Sequence, residues 1–297
     1  MSAPRDLWVT AGDGLTLYAR DHGPAAGAAL PVLCLPGLTR NSADFDALAR
    51  RLALDPDRPR RVLALDYRGR GRSGYDPDPA RYDLKVELDD VLQVVAVAGL
   101  HEAVVVGTSR GGLLGMALAA ARPALLRGVV LNDVGPVLEP AGLAAIKAYV
   151  GKLPAPADHP EGAEVLRRLL GPAFPRLDAE DWLAWARRTW REEAGRLVPD
   201  HDPALARTLD AFDPSQPVPP LWGLFAGLGS VPVLALRGAN SDLLGAETLQ
   251  AMAAAHPGLE TVTVPDQGHT PLLEGWVADR IAAFVARVEA AAEVVPA

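Results

Sequence analysis

The sequence predicts an α/β fold in which a mainly parallel sheet is covered by helices on both faces. Short continuous apolar runs recur along the chain, which is typical of strands buried on both sides. Helical patterns separate these runs, as expected for strand–helix–strand units. At 297 residues and 49% hydrophobic content, the chain is long enough to form one large α/β domain around a substantial core.

The predicted elements alternate regularly in the first half of the chain. An opening hairpin turns at Gly12-Asp13-Gly14. Apolar runs predict buried strands, and helical patterns separate most of them. The strands are predicted at 32–35, 62–66, 103–106, 128–133, 231–237 and 260–264. Helices are predicted from about 42, from about 83 to 98, at 113–119, between the last two of these strands, and just beyond 269. The last helix is expected to start just beyond His269, with Thr270 as its N-cap and Pro271 in its first turn.

No buried strand is predicted between residues 137 and 228. This stretch has helical patterns and proline-rich segments, and it contains four of the six tryptophans. We predict a core domain of residues 1–136 and 229–297, with a helical cap at 137–228 inserted between the sixth and seventh strands. Three cap tryptophans are candidates to line a substrate pocket, although packing in the cap's own core is the favoured interpretation. The candidates are Trp182, Trp185 and Trp222.

Composition excludes several functions. A net charge of −8 argues against nucleic acid or an anionic membrane as an obligate partner. The single cysteine, Cys34, lies in an apolar run and is expected to be a buried packing residue. No signal pattern or membrane-length apolar run is present, so a cytoplasmic location is expected.

The segment 69–74 matches the dinucleotide-binding pattern Gly-x-Gly-x-x-Gly, but no helix follows it directly, and we interpret it as a structural loop. We expect neither cofactor nor metal.

The segment Gly107-Thr108-Ser109-Arg110-Gly111 lies between a predicted buried strand and a predicted helix. This order is typical of a nucleophile elbow, a sharp turn that exposes a serine hydroxyl beside the first N–H groups of a helix. The motif alone is common in ordinary turns. Its position between strand and helix makes Ser109 the candidate nucleophile.

A serine nucleophile needs a base, and the base needs a carboxylate that orients it. His269 is the one histidine that follows a late predicted strand at its carboxyl end. Two carboxylates between Ser109 and His269 could reach the same sheet edge. Asp242 is preferred because its loop follows the strand immediately before that of the histidine, and Asp133 is the alternative.

A second backbone donor for an oxyanion should follow an early central strand. The segment Pro36-Gly37-Leu38 has that position, so the Leu38 N–H is expected to act with that of Arg110.

Together these motifs resemble the α/β-hydrolase superfamily, in the branch with a serine nucleophile and a helical cap. The matching segments are Gly107 to Gly111, Asp66 to Ser73, Asn240-Ser241-Asp242 and Gly268-His269. The resemblance implies a mostly parallel eight-stranded sheet flanked by helices. It also implies roles for the candidates, which are Ser109 as nucleophile, His269 as base, Asp242 as acid, and Leu38 and Arg110 as oxyanion donors.

The expected activity is hydrolysis of a small, apolar ester or lactone through an acyl-enzyme. Hydrolysis of a carbon–carbon bond in a diketone-like substrate is an alternative. A ligand-binding protein that has kept the fold without catalysis is another.

Overall fold

A computed structural model describes residues 3–229 and 231–294 of the chain. The strands are β1 (Arg5–Thr10), β2 (Thr16–His22), β3 (Val32–Leu35), β4 (Val62–Asp66), β5 (Ala103–Thr108), β6 (Leu126–Asn132), β7 (Trp190–Glu193), β8 (Arg196–Pro199), β9 (Val233–Gly238) and β10 (Leu259–Val264). The α-helices are α1 (Asp46–Ala53), α2 (Leu84–Val97), α3 (Arg110–Ala121), α4 (Pro140–Tyr149), α5 (His159–Leu170), α6 (Ala179–Thr189), α7 (Trp222–Ala226), α8 (Ala246–Ala255) and α9 (Gly275–Val294). Short 3₁₀ turns occur at Ser42–Phe45, Pro79–Arg81, Pro123–Leu125 and Pro203–Leu209.

Eight of these strands form one sheet in the order β1-β2-β4-β3-β5-β6-β9-β10. The β1–β2 and β2–β4 pairs are antiparallel, and every later pair is parallel. The predicted mostly parallel, eight-stranded sheet is therefore confirmed. Because β5, β6 and β10 run in the same direction, the loops that follow them meet at one edge of the sheet.

Helices cover both faces of the sheet, which explains why its central strands are continuously apolar. In β5, Val104 and Val106 pack on the side of α1 and α9, whereas Val105 packs on the side of α2 and α3. All three side chains are fully buried. Cys34 lies in the same core and is buried, as the sequence predicted, and burial raises the pKa of its thiol.

The segment between β6 and β9 is mainly helical, and it also contains a small hairpin that the sequence did not reveal. Strands β7 and β8 pair in antiparallel fashion through a turn at Ala194 and Gly195. Exposed charged side chains in β7 mask the alternation that usually indicates a strand. The division of the chain into core and cap domains stays a prediction.

The predicted start of the last helix is wrong. Helix α9 begins at Gly275, five residues after the expected N-cap. The intervening loop is held instead by two hydrogen bonds, from Asn132 Nδ2 to the Pro271 carbonyl (3.0 Å) and from the Leu272 N–H to Gln267 Oε1 (2.7 Å). Within residues 3–229 and 231–294, no helix combines the length and apolar character that crossing a bilayer requires.

Two glycines allow the turn between β5 and α3 to pack against the sheet. A Cβ atom at Gly107 would lie 2.4 Å from the Gly111 carbonyl oxygen, and one at Gly111 would lie 1.9 Å from the Leu35 carbonyl oxygen. Neither position can hold a larger residue without a shift of the backbone, because both neighbouring atoms belong to the main chain.

We expect Gly111→Ala to lower the free energy of unfolding by about 3 kcal/mol or more, because the new methyl group collides with a strand backbone. Gly115→Ala is the matched control in the same helix. Its Cβ would lie 3.5 Å from Val105 Cγ1, an ordinary contact, so this variant should stay within about 1 kcal/mol of the wild type or gain stability. Urea unfolding of both variants measures the difference. Equal stability of the two variants would contradict the packing explanation.

Candidate active site

Ser109 occupies the turn between β5 and α3 in a backbone conformation that side chains rarely adopt, with φ 50° and ψ −114°. Its N–H donates to the Asn132 carbonyl (3.0 Å), and its carbonyl accepts from the Gly112 N–H (2.8 Å). These bonds hold the strained residue in place from both sides. Ser109 therefore has the geometry of the predicted nucleophile elbow.

Ser109 and His269, which the sequence paired across 160 residues, are in contact. Ser109 Oγ lies 2.9 Å from His269 Nε2. On the other side of the ring, His269 Nδ1 lies 2.8 Å from Asp133 Oδ2. The three side chains form the chain of contacts that a base-activated serine needs, with the carboxylate fully buried behind the histidine.

The prediction that Asp242 is the carboxylate partner is wrong in this geometry. Asp242 is exposed, and Asp133 contacts the histidine instead. Asp133 directly follows β6, which lies beside both β5 and β9, and its backbone has a φ of 57°. That position points the aspartate across the sheet edge to the loop that carries His269.

The loop after β9 contributes Ser241 to the site rather than an acid. Asp133 Oδ1 accepts from the Gly238 N–H (2.7 Å), and Asp133 Oδ2 accepts from the Ser241 hydroxyl (2.5 Å). Ser241 Oγ also accepts from the N–H groups of Leu243 and Leu244. Sequence reasoning missed Ser241. It lies in the segment Asn240-Ser241-Asp242, in which the sequence points to the aspartate and carries no signal for the serine.

The two predicted oxyanion donors flank Ser109. A Cβ atom at Gly37 would lie 3.9 Å from Ser109 Cβ, so the loop that carries Leu38 lies against the nucleophile. Arg110 is the first residue of α3, where a backbone N–H has no partner within the helix. Their role as oxyanion donors stays a prediction.

Buried Glu87 connects the two loops that carry these donors. Its carboxylate accepts from Arg110 Nε (2.6 Å) and from Arg70 Nη1 (2.7 Å), and Arg70 Nε donates to the Leu38 carbonyl (2.7 Å). Burial alone would raise the pKa of Glu87, but the two guanidinium groups outweigh it and hold the pKa below its ordinary value. The ionised carboxylate thus fixes both arginines.

The glycine-rich segment 69–74 packs behind the site, in agreement with its interpretation as a structural loop. Arg70 is fully buried in the contacts just described. At Gly71 a Cβ atom would lie 2.2 Å from Asp66 Oδ2. Asp66 in turn accepts from the N–H groups of Ser42 and Arg72. Within the described part of the chain, no cluster of three or more potential metal ligands is present.

Ser109 and His269 line a pocket between the sheet edge and the inserted segment. Of the three candidate tryptophans, Trp185 lines this pocket. Trp182 stacks on Trp185 with ring centroids 5.5 Å apart, and Trp222 packs against Phe225 beside the main core. The favoured interpretation as residues of the cap's own core thus describes Trp182, and Trp185 belongs to that core and also lines the pocket. It is wrong for Trp222, which packs against the core of the sheet. The apolar wall also includes Ile146, Leu153, Leu166, Leu169, Leu170, Leu272 and Leu273.

Two adjacent residues on the inserted segment have pKa values shifted in opposite directions. Burial, helped by the nearby charge of Asp66, raises the pKa of Asp200 to about 6. Burial, helped by the positive charges of Arg40 and Arg70, lowers the pKa of His201 to about 4. His201 is therefore neutral at physiological pH, and Asp200 carries a charge that its surroundings disfavour.

Comparison with known proteins identifies relatives along most of the chain. A profile of the alpha/beta hydrolase family matches residues 32–286. The chain is 34% identical to the 3-hydroxybutyrate-oligomer hydrolase of Cupriavidus necator, with 81% of this chain and 82% of that protein aligned. It is 30% identical to the 2-(acetamidomethylene)succinate hydrolase of Mesorhizobium japonicum, covering 86% and 85% respectively. The crystal structure of an alpha/beta hydrolase from Novosphingobium aromaticivorans superimposes with a TM-score of 0.87 at 40% identity, over 98% of this chain and 99% of that one.

The raised pKa of Asp200 predicts a pH-dependent effect of Asp200→Asn. Between pH 4 and 6 the folded protein holds a proton on Asp200 that the unfolded chain has lost, so this group lowers stability as pH rises through that range. The neutral amide removes this dependence. Because the side chain is 20% exposed, we expect Asp200→Asn to gain about 1–2 kcal/mol relative to the wild type between pH 4.5 and 7.5.

Urea unfolding at the two pH values measures this difference. Asp210→Asn, at an exposed position in the same segment, is the control for replacing an aspartate by an asparagine. A wild-type to Asp200→Asn difference that is the same at both pH values would contradict the raised pKa.

Proposed function

Because the chain belongs to the alpha/beta hydrolase family, we propose that it is a serine hydrolase that cleaves a small carboxylic ester or lactone through an acyl-enzyme at Ser109. The observation that carries the proposal is the contact of 2.9 Å between Ser109 Oγ and His269 Nε2, on an elbow whose backbone conformation exposes the hydroxyl. The buried Asp133 supports the same assignment, because it can orient the ring and stabilise its positive charge.

The reaction follows from these contacts. Ser109 Oγ attacks the carbonyl carbon while His269 Nε2 takes the hydroxyl proton, and Asp133 stabilises the imidazolium that forms. The tetrahedral intermediate collapses to the acyl-enzyme as His269 returns the proton to the leaving alcohol. A water molecule then attacks the acyl group, with His269 as base, and release of the acid regenerates Ser109.

Negative charge on the tetrahedral oxygen requires donors that are already in place. The N–H groups of Leu38 and Arg110 are proposed for this role, since both flank the nucleophile. The contacts of Glu87 with Arg70 and Arg110 support it, because they tie the two donor-carrying loops to one buried carboxylate. Such preorganisation lets the donors stabilise developing charge without rearranging.

An ester is the favoured substrate class. The relative from Cupriavidus necator is described as hydrolysing 3-hydroxybutyrate oligomers, in which hydroxy-acid units are joined by ester bonds. The mostly apolar pocket wall also suits the short carbon chain of such units. The net charge of −8 supports the expectation that a small molecule, rather than nucleic acid, is the partner. A cytoplasmic location stays a prediction.

We expect a fluorophosphonate to label wild-type protein at Ser109, and short-chain nitrophenyl esters to be hydrolysed. Ser109→Ala should abolish labelling and reduce hydrolysis by about 10³-fold or more, because the acyl-enzyme can no longer form. Mass mapping of the labelled peptide and initial-rate measurements provide the two readouts. A protein without an adduct and without turnover would favour a ligand-binding role, and equal rates in wild type and variant would overturn the mechanism.

The two candidate acids can be separated by matched substitutions. Asp133→Asn should lower kcat by about 10³–10⁴-fold, because the amide no longer stabilises the imidazolium or holds the required tautomer. Asp242→Asn removes an exposed carboxylate that does not contact His269, so its kcat should stay within about threefold of the wild type. Steady-state kinetics on the same ester measure both. A large loss in Asp242→Asn with little effect of Asp133→Asn would reverse the assignment.

A further inference from the structure

The pocket wall that bears Ser109 also has a polar cluster at which positive charge exceeds negative charge. Arg40 and Asp44 form a two-point ion pair, with Nε–Oδ2 at 2.7 Å and Nη2–Oδ1 at 2.6 Å. Arg40 Nη1 also donates to Thr189 Oγ1 (2.8 Å). Asp44 is thus already held by one guanidinium group through both of its oxygens.

Arg188 is the second guanidinium of this cluster, and Asp44 contacts it only weakly. Its Nε lies 3.5 Å from Asp44 Oδ1, beyond good hydrogen-bonding geometry. This Nε is buried and has no hydrogen-bond partner within the described residues. The side chain lines the pocket and is 22% exposed. A buried donor without a partner costs free energy that an incoming acceptor would recover.

His201 adds a second buried nitrogen to the same pocket wall. The residue is 3% exposed, and its Nε2 has no hydrogen-bond partner within the part of the chain that is described. Because burial and the positive charges of Arg40 and Arg70 disfavour its protonation, the ring stays neutral, and the cluster of Arg40, Arg188, Asp44 and His201 has a formal charge of +1. The neighbouring Asp200, whose charge acts on Arg40, is paired with Arg191 (3.3 Å), and both residues lie outside the pocket lining.

One more acidic side chain, Glu274, lines the pocket. It lies on the loop that follows His269, and among the described residues no ion pair joins it to Arg40 or Arg188. It therefore does not occupy Arg188 Nε, which stays available to an anion.

We propose that Arg188, with Arg40 and His201 beside it, binds a free carboxylate of the substrate, so that the enzyme prefers esters that carry a carboxylate on a short apolar chain. The proposal rests on the proposed function, because the same pocket holds Ser109 and His269. A planar guanidinium matches a carboxylate by two parallel hydrogen bonds, which a neutral ester cannot reproduce. The surrounding apolar wall suits the chain between the two groups.

The preference is tested with matched pairs of substrates that differ by one charge. On the acyl side, p-nitrophenyl hemiglutarate is compared with p-nitrophenyl pentanoate. On the alcohol side, 3-acetoxybutyrate is compared with its methyl ester. We expect kcat/KM to favour the anionic member of at least one pair by about tenfold or more. Equal or faster turnover of the neutral member in both pairs would overturn the proposal.

Substitution of Arg188 shows whether this residue is responsible. In Arg188→Gln, kcat/KM for the preferred anionic ester should fall by about tenfold or more, mainly through KM, while the neutral ester stays within about threefold. Arg188→Lys should recover part of the loss, because it restores the charge without the planar fork. Arg187→Gln, at the exposed neighbouring position, is the matched control and should change neither substrate. Equal losses on both esters in Arg188→Gln would indicate a structural role and contradict the proposal.

A binding measurement separates this inference from the proposed function. In the Ser109→Ala background, intrinsic tryptophan fluorescence, to which Trp185 in the pocket contributes, is followed during titration with monomethyl glutarate and with dimethyl glutarate. The anion should bind more tightly, and adding Arg188→Gln should remove the difference. This outcome supports the carboxylate site even if Ser109 proves not to be the nucleophile. Equal binding of the two compounds would overturn it, whatever the esterase assays show.

Discussion

The close contact between the start of α3 and the end of β3 is the constraint on which the site depends. Gly111 allows it, because any Cβ atom there would meet the Leu35 carbonyl oxygen at 1.9 Å. Ser109, in the turn that leads into this contact, has a positive φ of 50°. It also brings the loop after β3 against the nucleophile, so one packing contact places both the serine and a candidate oxyanion donor.

Parallel strands then bring distant residues to the same edge. His269 follows β10 and reaches Ser109, and Asp133 follows β6 and reaches His269, because these strands run in the direction of β5. Behind this layer, Glu87 and Ser241 hold the groups that act. Glu87 binds the arginines beside both donor loops, and Ser241 binds the buried carboxylate. The positions of the proposed reacting atoms thus depend on polar contacts that are buried or partly buried.

The inserted segment supplies many of the side chains that line the pocket. Its aromatic residues build a small core in which Trp182 and Trp185 stack, and the latter also lines the pocket. Arg188 and His201 come from the same segment and meet Arg40 from the sheet edge. The proposed chemistry and the proposed selectivity therefore belong to different parts of the chain, since the elbow is part of the sheet and the carboxylate site depends largely on the insertion.

The architecture could be predicted from the sequence alone, and so could the placing of Ser109 in a turn between strand and helix and its pairing with His269. Buried strands appear as apolar runs, such as 32–35 and 62–66, and the glycines around Ser109 reflect contacts that no other residue permits. Only the tertiary structure decided between Asp133 and Asp242, because spacing along the chain does not reveal which loop points towards the histidine. The roles of Ser241, Glu87 and the arginines of the pocket likewise became visible only in the folded structure. Their roles arise from contacts between elements that are distant in sequence, and no local pattern records such contacts.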